Sequence, residues 1–399
     1  MPASQEAAPP AASRAKPRPA TLDRRRFLLV LGSAAAYATL RPHAGLARRL
    51  AAPRLALQPW SLPIDPPADP LELARALAGA AVLAPSHWNT QPWRLEVSGS
   101  SLRLLADPRR ALPVTDPARS AMMMSLGAAL ENMLVAMRAY GLRPAVTYSP
   151  EGDTSPVAAE VTWSAGERRR DRDLFAAIPE RRTNRRNYDG RGIFMQNRSA
   201  LTALVPGDLR FHWADDRDQI HEMGDLVHDA TRDQVLDARA QTECLRWMRF
   251  GDDEARETGD GVTLDALEIG GPARWFARRY FNPQSRFIGL GAGSAAKQAR
   301  EAVRSSGAVA LLTAPRGASS VGVIAGQTYE RLALRATRLG IANQPLRSPI
   351  EMPGYRSDLL RAFGAVGEEP LLMIRFGHAG RPAPSMRRAV AMVASFRNS

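Results

Sequence analysis

The sequence predicts an α+β (α/β) fold made of two similar halves within one chain. Two long, mostly apolar helices are predicted at 120–140 and 321–339, and they match at a constant separation of 199 residues, as between Gly127 and Gly326. A strand and a turn precede each helix, so the order of elements is shared and indicates an internal repeat. The alternative is a chance similarity of two buried helices. The matching strands and turns lie at 104–109 and 311–316.

Residues 1–47 have the pattern of an export signal. A basic region is followed by an apolar run and by small residues suited to cleavage. The motif Arg24-Arg25-x-Phe27-Leu28 resembles a twin-arginine signal. We therefore expect a signal peptide at 1–47, a twin-arginine translocase as partner, and export to the periplasm; a basic helix or a short anchor is the alternative. The Pro-rich segment 48–68 is predicted to be a linker.

The bulk composition excludes several classes of function. The chain has 399 residues and a net charge of +14, but its basic residues are spread along the whole length, so we expect no nucleic-acid partner. A single cysteine, Cys244, excludes an internal disulfide. The three histidines His212, His221 and His228 do not have the spacing of a zinc site, and no metal is expected.

The first half is predicted to span 69–170. Asp69 suits the N-cap of a helix over 69–81, and Pro70 suits its first position. Pro85 ends this helix, and a loop rich in short polar side chains follows. The remaining elements of this half are strands at 95–97, 102–105, 146–148 and 158–163 around the first long helix.

The second half is predicted to span 171–399. It begins with a helix at 171–178, followed by an arginine-rich segment. A helical, aromatic-bearing insertion at 216–305 separates its first strand from its second. Further elements are a helix at 199–204, strands at 209–214, 308–313 and 371–376, a Pro-rich loop at 343–356 and a helix at 357–362.

Three separated segments carry a family resemblance. They are Pro85-Ser86-His87-Trp88-Asn89-Thr90-Gln91-Pro92-Trp93, Arg181-Arg182-Thr183-Asn184-Arg185 and Ser385-Met386-Arg387-Arg388. Together they resemble the Acg-like, FMN-binding branch of the nitroreductase family, over about residues 60–395. The resemblance implies a nitroreductase-like fold. Nitroreductases are typically homodimers with flavin at the subunit interface. In this chain the two halves divide the binding segments, which implies a monomeric single-chain pseudo-dimer with one complete site.

The resemblance also implies roles for residues. Arginine supplies the planar, permanently charged donors that a phosphate requires. A solvated charged face is the alternative for an arginine run. The expected phosphate ligands are Arg181, Arg182, Thr183, Arg185, Ser385 and Arg387.

Residues of the first segment are expected to bind the flavin ring. The candidates are Pro85, Ser86, His87 and Asn89, with Gln91 bracing the loop. His87 could instead be a structural histidine, and Trp88 and Trp93 are expected in the core. A second stretch, Pro345-Leu346-Arg347, is similar to the family's loop along the ring, but Ser348-Pro349-Ile350-Glu351 is a rival match and the register stays open.

Flavin itself would carry the chemistry, so no catalytic side chain is required. The expected activity is two-electron hydride transfer from NAD(P)H through FMN to a nitroaromatic- or quinone-like small molecule. The alternative is an exported protein that sequesters flavin under a closed lid formed by the insertion, with little turnover. A third possibility is a basic exported binding protein without flavin.

Overall fold

A computed structural model describes residues 60–397, apart from 153–154, 167–169, 281–291 and 318–320. The predicted signal peptide and residues 48–59 lie outside the described residues. The helices are α1 (Pro70–Val82), α2 (Ser120–Ala139), α3 (Arg172–Ala177), α4 (Met195–Thr202), α5 (Arg217–Leu236), α6 (Ala238–Arg246), α7 (Asp252–Thr258), α8 (Gly271–Tyr280), α9 (Ala292–Arg304), α10 (Val321–Arg338), α11 (Ser348–Glu351) and α12 (Arg356–Ala362). The strands are β1 (Trp93–Ser98), β2 (Ser101–Ala106), β3 (Leu142–Tyr148), β4 (Val157–Ala165), β5 (Arg210–Ala214), β6 (Met248–Arg249), β7 (Val262–Thr263), β8 (Ala308–Pro315), β9 (Ala342–Leu346), β10 (Glu368–Gly377) and β11 (Ala394–Arg397).

The mixed helix and strand architecture confirms the predicted α+β class. The described residues form two main sheets and one small one. The first sheet has the order β11-β1-β2-β4-β3, and the second has the order β5-β8-β10-β9. Within the segments β1-β2-β4-β3 and β5-β8-β10-β9, all neighbouring strands are antiparallel. The two halves therefore share one strand order, and β11 adds a parallel strand to the first sheet alone.

The long helices α2 and α10 cross at two glycines. An ideal Cβ on Gly127 would lie 2.0 Å from the carbonyl oxygen of Val323, and one on Gly326 would lie 1.9 Å from that of Met124. Met124 and Val323 are separated by the same 199 residues as Gly127 and Gly326. Reciprocal contacts of this kind are the mark of a two-fold interface, here within one chain. Only glycine permits the backbones to approach so closely.

The helix α2 is buried on all sides because it lies between the two halves. Within the described part of the chain it is the one helix long and apolar enough to cross a membrane, and 89% of its apolar window is buried inside the molecule. Its N-terminus is capped by the Asp116 carboxylate, which accepts hydrogen bonds from the backbone N–H groups of Ala121 and Met122. We conclude that α2 is a core helix.

The insertion between β5 and β8 covers the outer face of the second sheet. Its helices α5 and α9 pack there with α12, contributing Ile220, Met223 and Val303 to a core that also contains Met373 of β10. The strand β8 is buried along nearly its whole length as a result. The part of the insertion around β6, α7 and β7 contacts the loop that follows α1, through the carbonyls of Gly259 and Gly261.

Two strands of the main sheets are absent from the sequence prediction. Residues 343–346, predicted to be a loop, belong to strand β9, which pairs with β10 in the register Pro345 to Ile374. Pro345 is tolerated because β9 is an edge strand, where a missing N–H breaks no ladder on its outer side. The prediction contained no strand at the C-terminus, whereas β11 lies there and pairs with β1 more than 290 residues away.

Candidate functional site

The loop after α1 is held in an unusual backbone conformation. Trp88, Asn89 and Gln91 all have positive φ angles, of 49°, 53° and 48°. Such angles are costly for an aromatic residue and persist only where surrounding contacts impose them. Ser86 accepts a hydrogen bond on Oγ from the backbone N–H of Gln91 at 2.9 Å, which closes the loop on itself. This segment, residues 86–91, is called the site loop below.

Gln91 braces the site loop as predicted. Its side chain is fully buried, donates to the carbonyl of Gly259 at 2.9 Å and accepts from the backbone N–H of Arg388 at 2.9 Å. Trp93 is also fully buried, in the core of the first half, while Trp88 is half-buried. Pro85, which precedes the site loop, is half-buried.

Asn89 joins the site loop to two distant segments. Its Nδ2 donates to the carbonyls of Gly261 at 2.8 Å and Met386 at 3.2 Å, and its Oδ1 accepts from Arg387 Nη1 at 3.0 Å. The amide is therefore engaged by protein groups from the insertion and from the C-terminal segment. The role of Asn89 toward a ring stays a prediction, but the structure does bring the first and third predicted segments into contact.

Three arginines from the second and third segments lie together, namely Arg181, Arg182 and Arg387. They are called the arginine cluster below. Arg181 is 2% exposed and its Nε lies 3.2 Å from Oε1 of Glu330, which is fully buried. Arg387 is 5% exposed and donates to Asn89 and to the carbonyls of Leu83 and Met386.

Several polar atoms of this cluster lack hydrogen-bond partners among the described residues. They are Nη1 of Arg181, Nε of Arg182 and Nε of Arg387. Buried polar atoms in proteins are nearly always satisfied. An unsatisfied set made of guanidinium N–H groups is one that a bound anion would satisfy.

Burial and neighbouring positive charges lower the pKa values of two arginines of the cluster. Burial, together with the neighbouring charges of Arg381 and Arg181, lowers the pKa of Arg182 to about 9. Burial and the charges of Arg181 and Arg182 lower the pKa of Arg387 well below its ordinary value. Burial is the larger cause for both arginines and the like charges of neighbouring arginines add to it, and a bound anion would oppose both shifts.

The other predicted phosphate ligands are Thr183, Arg185 and Ser385, which are close in sequence to the arginines of the cluster. Thr183 forms a β-bridge with Asn343, beside strand β9. Arg185 donates to the carbonyl of Ala266 in the insertion at 3.3 Å. Ser385 is half-buried, and its carbonyl accepts a hydrogen bond from Trp60 Nε1 at 2.9 Å.

A second charged group contacts the site loop through His87. His87 Nε2 is 3.0 Å from Oε1 of Glu351, and Arg347 Nε is 3.1 Å from the same oxygen. Burial by itself would raise the pKa of Glu351, but the charges of His87 and Arg347 outweigh it and lower that pKa to about 2. Asp116 lies near this group, and burial raises its pKa.

The contacts among His87, Arg347 and Glu351 concern a question that the sequence left open. That question is whether Pro345-Leu346-Arg347 or Ser348-Pro349-Ile350-Glu351 matches the loop of the family. Arg347 also donates to the carbonyl of Leu371, so its guanidinium is held within the second half. Leu346 packs beneath the insertion against the core of α5, α9 and α12. Arg347, from one match, and His87 both contact Oε1 of Glu351, which comes from the rival match. The acidic residue of the rival match therefore contacts the site loop.

Sequence reasoning missed Glu330 and Trp60 as members of the site. A signal for Glu330 existed, because it is the equivalent of Glu131 in the repeat, a second acid inside an apolar helix. Trp60 was a single large aromatic in a segment interpreted as a linker. Its ring lies 4.0 Å from Cζ of Arg182 and 4.9 Å from that of Arg387.

In the other half, the charges at the position equivalent to the arginine cluster are paired with each other. Glu131 pairs with Arg331 at 2.6 Å and with Arg138 at 3.2 Å, and Asp171 pairs with both of these arginines. Two acids therefore balance two arginines there. Among the described residues, no group of His, Cys, Asp and Glu suited to a metal ion is present.

Fold and site together define an α+β protein of two related halves with one buried cationic site beside a strained polar loop. No protein-family model matches the chain. The chain is 30% identical over 338 residues to a protein of Mycobacterium tuberculosis (strain ATCC 25618 / H37Rv) named "Putative NAD(P)H nitroreductase Rv3131". The match covers 81% of this chain and 91% of the relative. The uncharacterized Rv3127 of the same organism is 27% identical over 337 residues. The chain belongs to the nitroreductase family, as the three segments predicted.

Solved structures with partial similarity include two nitroreductases. The FMN and NADPH-dependent nitroreductase NfnB from Sphigopyxis sp. strain HMH has a TM-score of 0.38 and 14% identity, over 57% of this chain and 99% of that chain. The FMN-dependent nitroreductase NfnB from Mycobacterium smegmatis in complex with NADPH has a TM-score of 0.33 and 19% identity, over 55% and 91% of the two chains.

Proposed function

We propose that this protein is an FMN-dependent oxidoreductase that passes two electrons from NAD(P)H to a nitroaromatic- or quinone-like acceptor. The observation that carries the proposal is the arginine cluster with its unpartnered guanidinium N–H groups. Three guanidinium charges exceed what the single acid Glu330 can balance, and such an excess of positive charge suits the phosphate of FMN. Family membership supplies the independent support.

The residues present fit FMN. The arginine cluster would hold the phosphate, with Thr183, Arg185 and Ser385 at its edge. The strained loop and the residue before it would lie against the ring through Pro85, Ser86, His87 and Asn89. The end of β9 and the residue after it would approach the ring through Pro345, Leu346 and Arg347. When bound, FMN supplies the hydride chemistry, while the protein binds, orients and adjusts its charge environment.

A second candidate function is flavin sequestration, and one observation favours it. The insertion is hydrogen-bonded directly to the site loop through Asn89 and Gln91, and Asp260 pairs with Arg110 at 2.8 Å. A packed lid would restrict the access of a nicotinamide. The two candidates differ in whether NADPH reduces the bound flavin.

Three finer assignments rest on the sequence motifs alone. We place the chain in the Acg-like branch, because of the three segments quoted above, and infer that it functions as a monomeric pseudo-dimer. We also propose export to the periplasm by the twin-arginine translocase. Replacing Arg24 and Arg25 by lysine should retain the protein in the cytoplasm, and unchanged fractionation would contradict this route.

The first experiment is the visible absorption spectrum of the purified protein, followed by anaerobic addition of NADPH. Bound flavin that NADPH bleaches supports the oxidoreductase, and flavin reduced by dithionite but not by NADPH supports sequestration. A protein without flavin absorbance that also fails to bind added FMN would contradict both candidates.

Arg182→Gln tests the site itself. Because a charge-assisted hydrogen bond contributes about 1.5–3 kcal/mol, FMN affinity should fall by roughly ten- to a hundred-fold, while riboflavin, which lacks the phosphate, should bind as before. Arg191→Gln is the control, since that side chain is 74% exposed and its ion pair is with Asp189, two residues away. Equal loss of FMN and riboflavin binding would contradict the phosphate assignment.

A further inference from the structure

We propose that Trp60 is a positioning residue of the phosphate site, which holds two guanidiniums of the arginine cluster against one indole ring. This proposal rests on the proposed function. Trp60 comes from the segment just before α1, here called the N-terminal arm (residues 60–66). Its ring contacts Arg182 and Arg387 at 4.0 Å and 4.9 Å from the ring centroid. The indole thus joins parts of the chain that are more than 120 and 320 residues away from it.

The arm is fixed at several points, so the indole is held in place. Trp60 Nε1 donates to the carbonyl of Ser385 at 2.9 Å. The hydroxyl of Tyr140, at the end of α2, donates to the carbonyl of Pro63 at 2.7 Å. Leu62 packs on the core of the first half, beside α1. The arm therefore connects the first half to the arginine cluster.

An indole suits this position for an electrostatic reason. The guanidiniums of Arg182, which is half-buried, and of Arg387, which is buried, repel each other. A carboxylate placed between them would neutralise the charge that a phosphate needs. The face of an aromatic ring attracts cations without carrying a formal charge, and this attraction grows when the pair is shielded from water. Trp60 can therefore hold Arg182 and Arg387 in place and leave their charge available to an anion.

The test compares FMN with riboflavin in the full chain. Dissociation constants for both ligands are measured by quenching of flavin fluorescence in the wild type, Trp60→Leu and Trp60→Phe. Trp275→Leu is the control, because Trp275 is 63% exposed and lies on α8. Near-ultraviolet circular dichroism and thermal unfolding establish that each variant is folded.

The preference for FMN over riboflavin should fall by about ten- to thirty-fold in Trp60→Leu, since a shielded cation–π contact is lost. Trp60→Phe keeps a ring face and loses only the bond to Ser385, so its preference should stay within about three-fold of the wild type. The control should keep the wild-type preference.

Two results would overturn the role of Trp60 while leaving the proposed function intact. One is an unchanged FMN preference in Trp60→Leu. The other is an equal loss in the folded Leu and Phe variants, which would show that the ring face is not what matters. A wild-type protein that binds riboflavin as tightly as FMN would overturn the phosphate site itself, and with it this proposal.

Discussion

Replacing Gly127 or Gly326 by alanine should strongly destabilise the protein, because both residues lie where α2 and α10 cross. The added Cβ would lie 2.0 Å or 1.9 Å from a backbone carbonyl oxygen of the opposite helix. Ordinary contact between non-bonded heavy atoms is about 3.5 Å, so the helices would have to separate by roughly 1.5 Å. No side-chain rotation can relieve the contact, because both the Cβ and the oxygen are fixed to backbones.

The expected cost is at the upper end of what overpacking causes, about 3 kcal/mol for each substitution. The two values should agree within about 1 kcal/mol, because the two contacts are reciprocal. Gly79→Ala in α1 is the matched control. A Cβ there would meet only the flexible end of Leu62 at 3.4 Å, so the helix should be unchanged or gain up to about 1 kcal/mol.

The assay is urea denaturation followed by far-ultraviolet circular dichroism, with the free energy of unfolding compared among the three variants and the wild type. If Gly127→Ala or Gly326→Ala proves as stable as Gly79→Ala, the close crossing is wrong. If one substitution is severe and the other mild, the crossing exists but the two-fold relation between the halves does not.

Two further predictions concern buried acids. Burial raises the pKa of Glu330 to about 7 from an ordinary value of 4.5, so its contribution to stability is present below pH 4.5 and is lost as the pH rises through 7. Wild-type stability should therefore fall relative to Glu330→Gln between pH 5 and pH 8, and parallel urea-denaturation profiles would contradict the buried carboxylate. Glu351→Gln should cost about 3–5 kcal/mol at pH 7, because it leaves His87 and Arg347 without their buried partner. Since the pKa of Glu351 is lowered to about 2, this cost should shrink as the pH falls from 4.5 toward 2. Glu72→Gln, in an exposed pair, should cost at most about 1 kcal/mol in the same assay and serves as the control.

The sequence by itself determined the local elements and the division into two halves. Asp69 caps α1 by accepting from the backbone N–H of Glu72, with Pro70 at the first helical position, as local rules predict. The long helices and the repeat were also visible, because periodicity and spacing are properties of neighbouring residues. The three segments that indicated the family could be recognised for the same reason.

Only the tertiary structure decided which charges meet. The family resemblance predicted that Arg181 and Arg387 bind one phosphate, but nothing local indicated that Glu330 would pair with Arg181 in the interior. The strand β9 formed where a Pro-rich loop was predicted, because pairing with β10 outweighs local propensity at a sheet edge. Trp60 and β11 likewise gained their places from distant partners. Long-range contacts of this kind depend on the path of the whole chain, which short-range pattern does not contain.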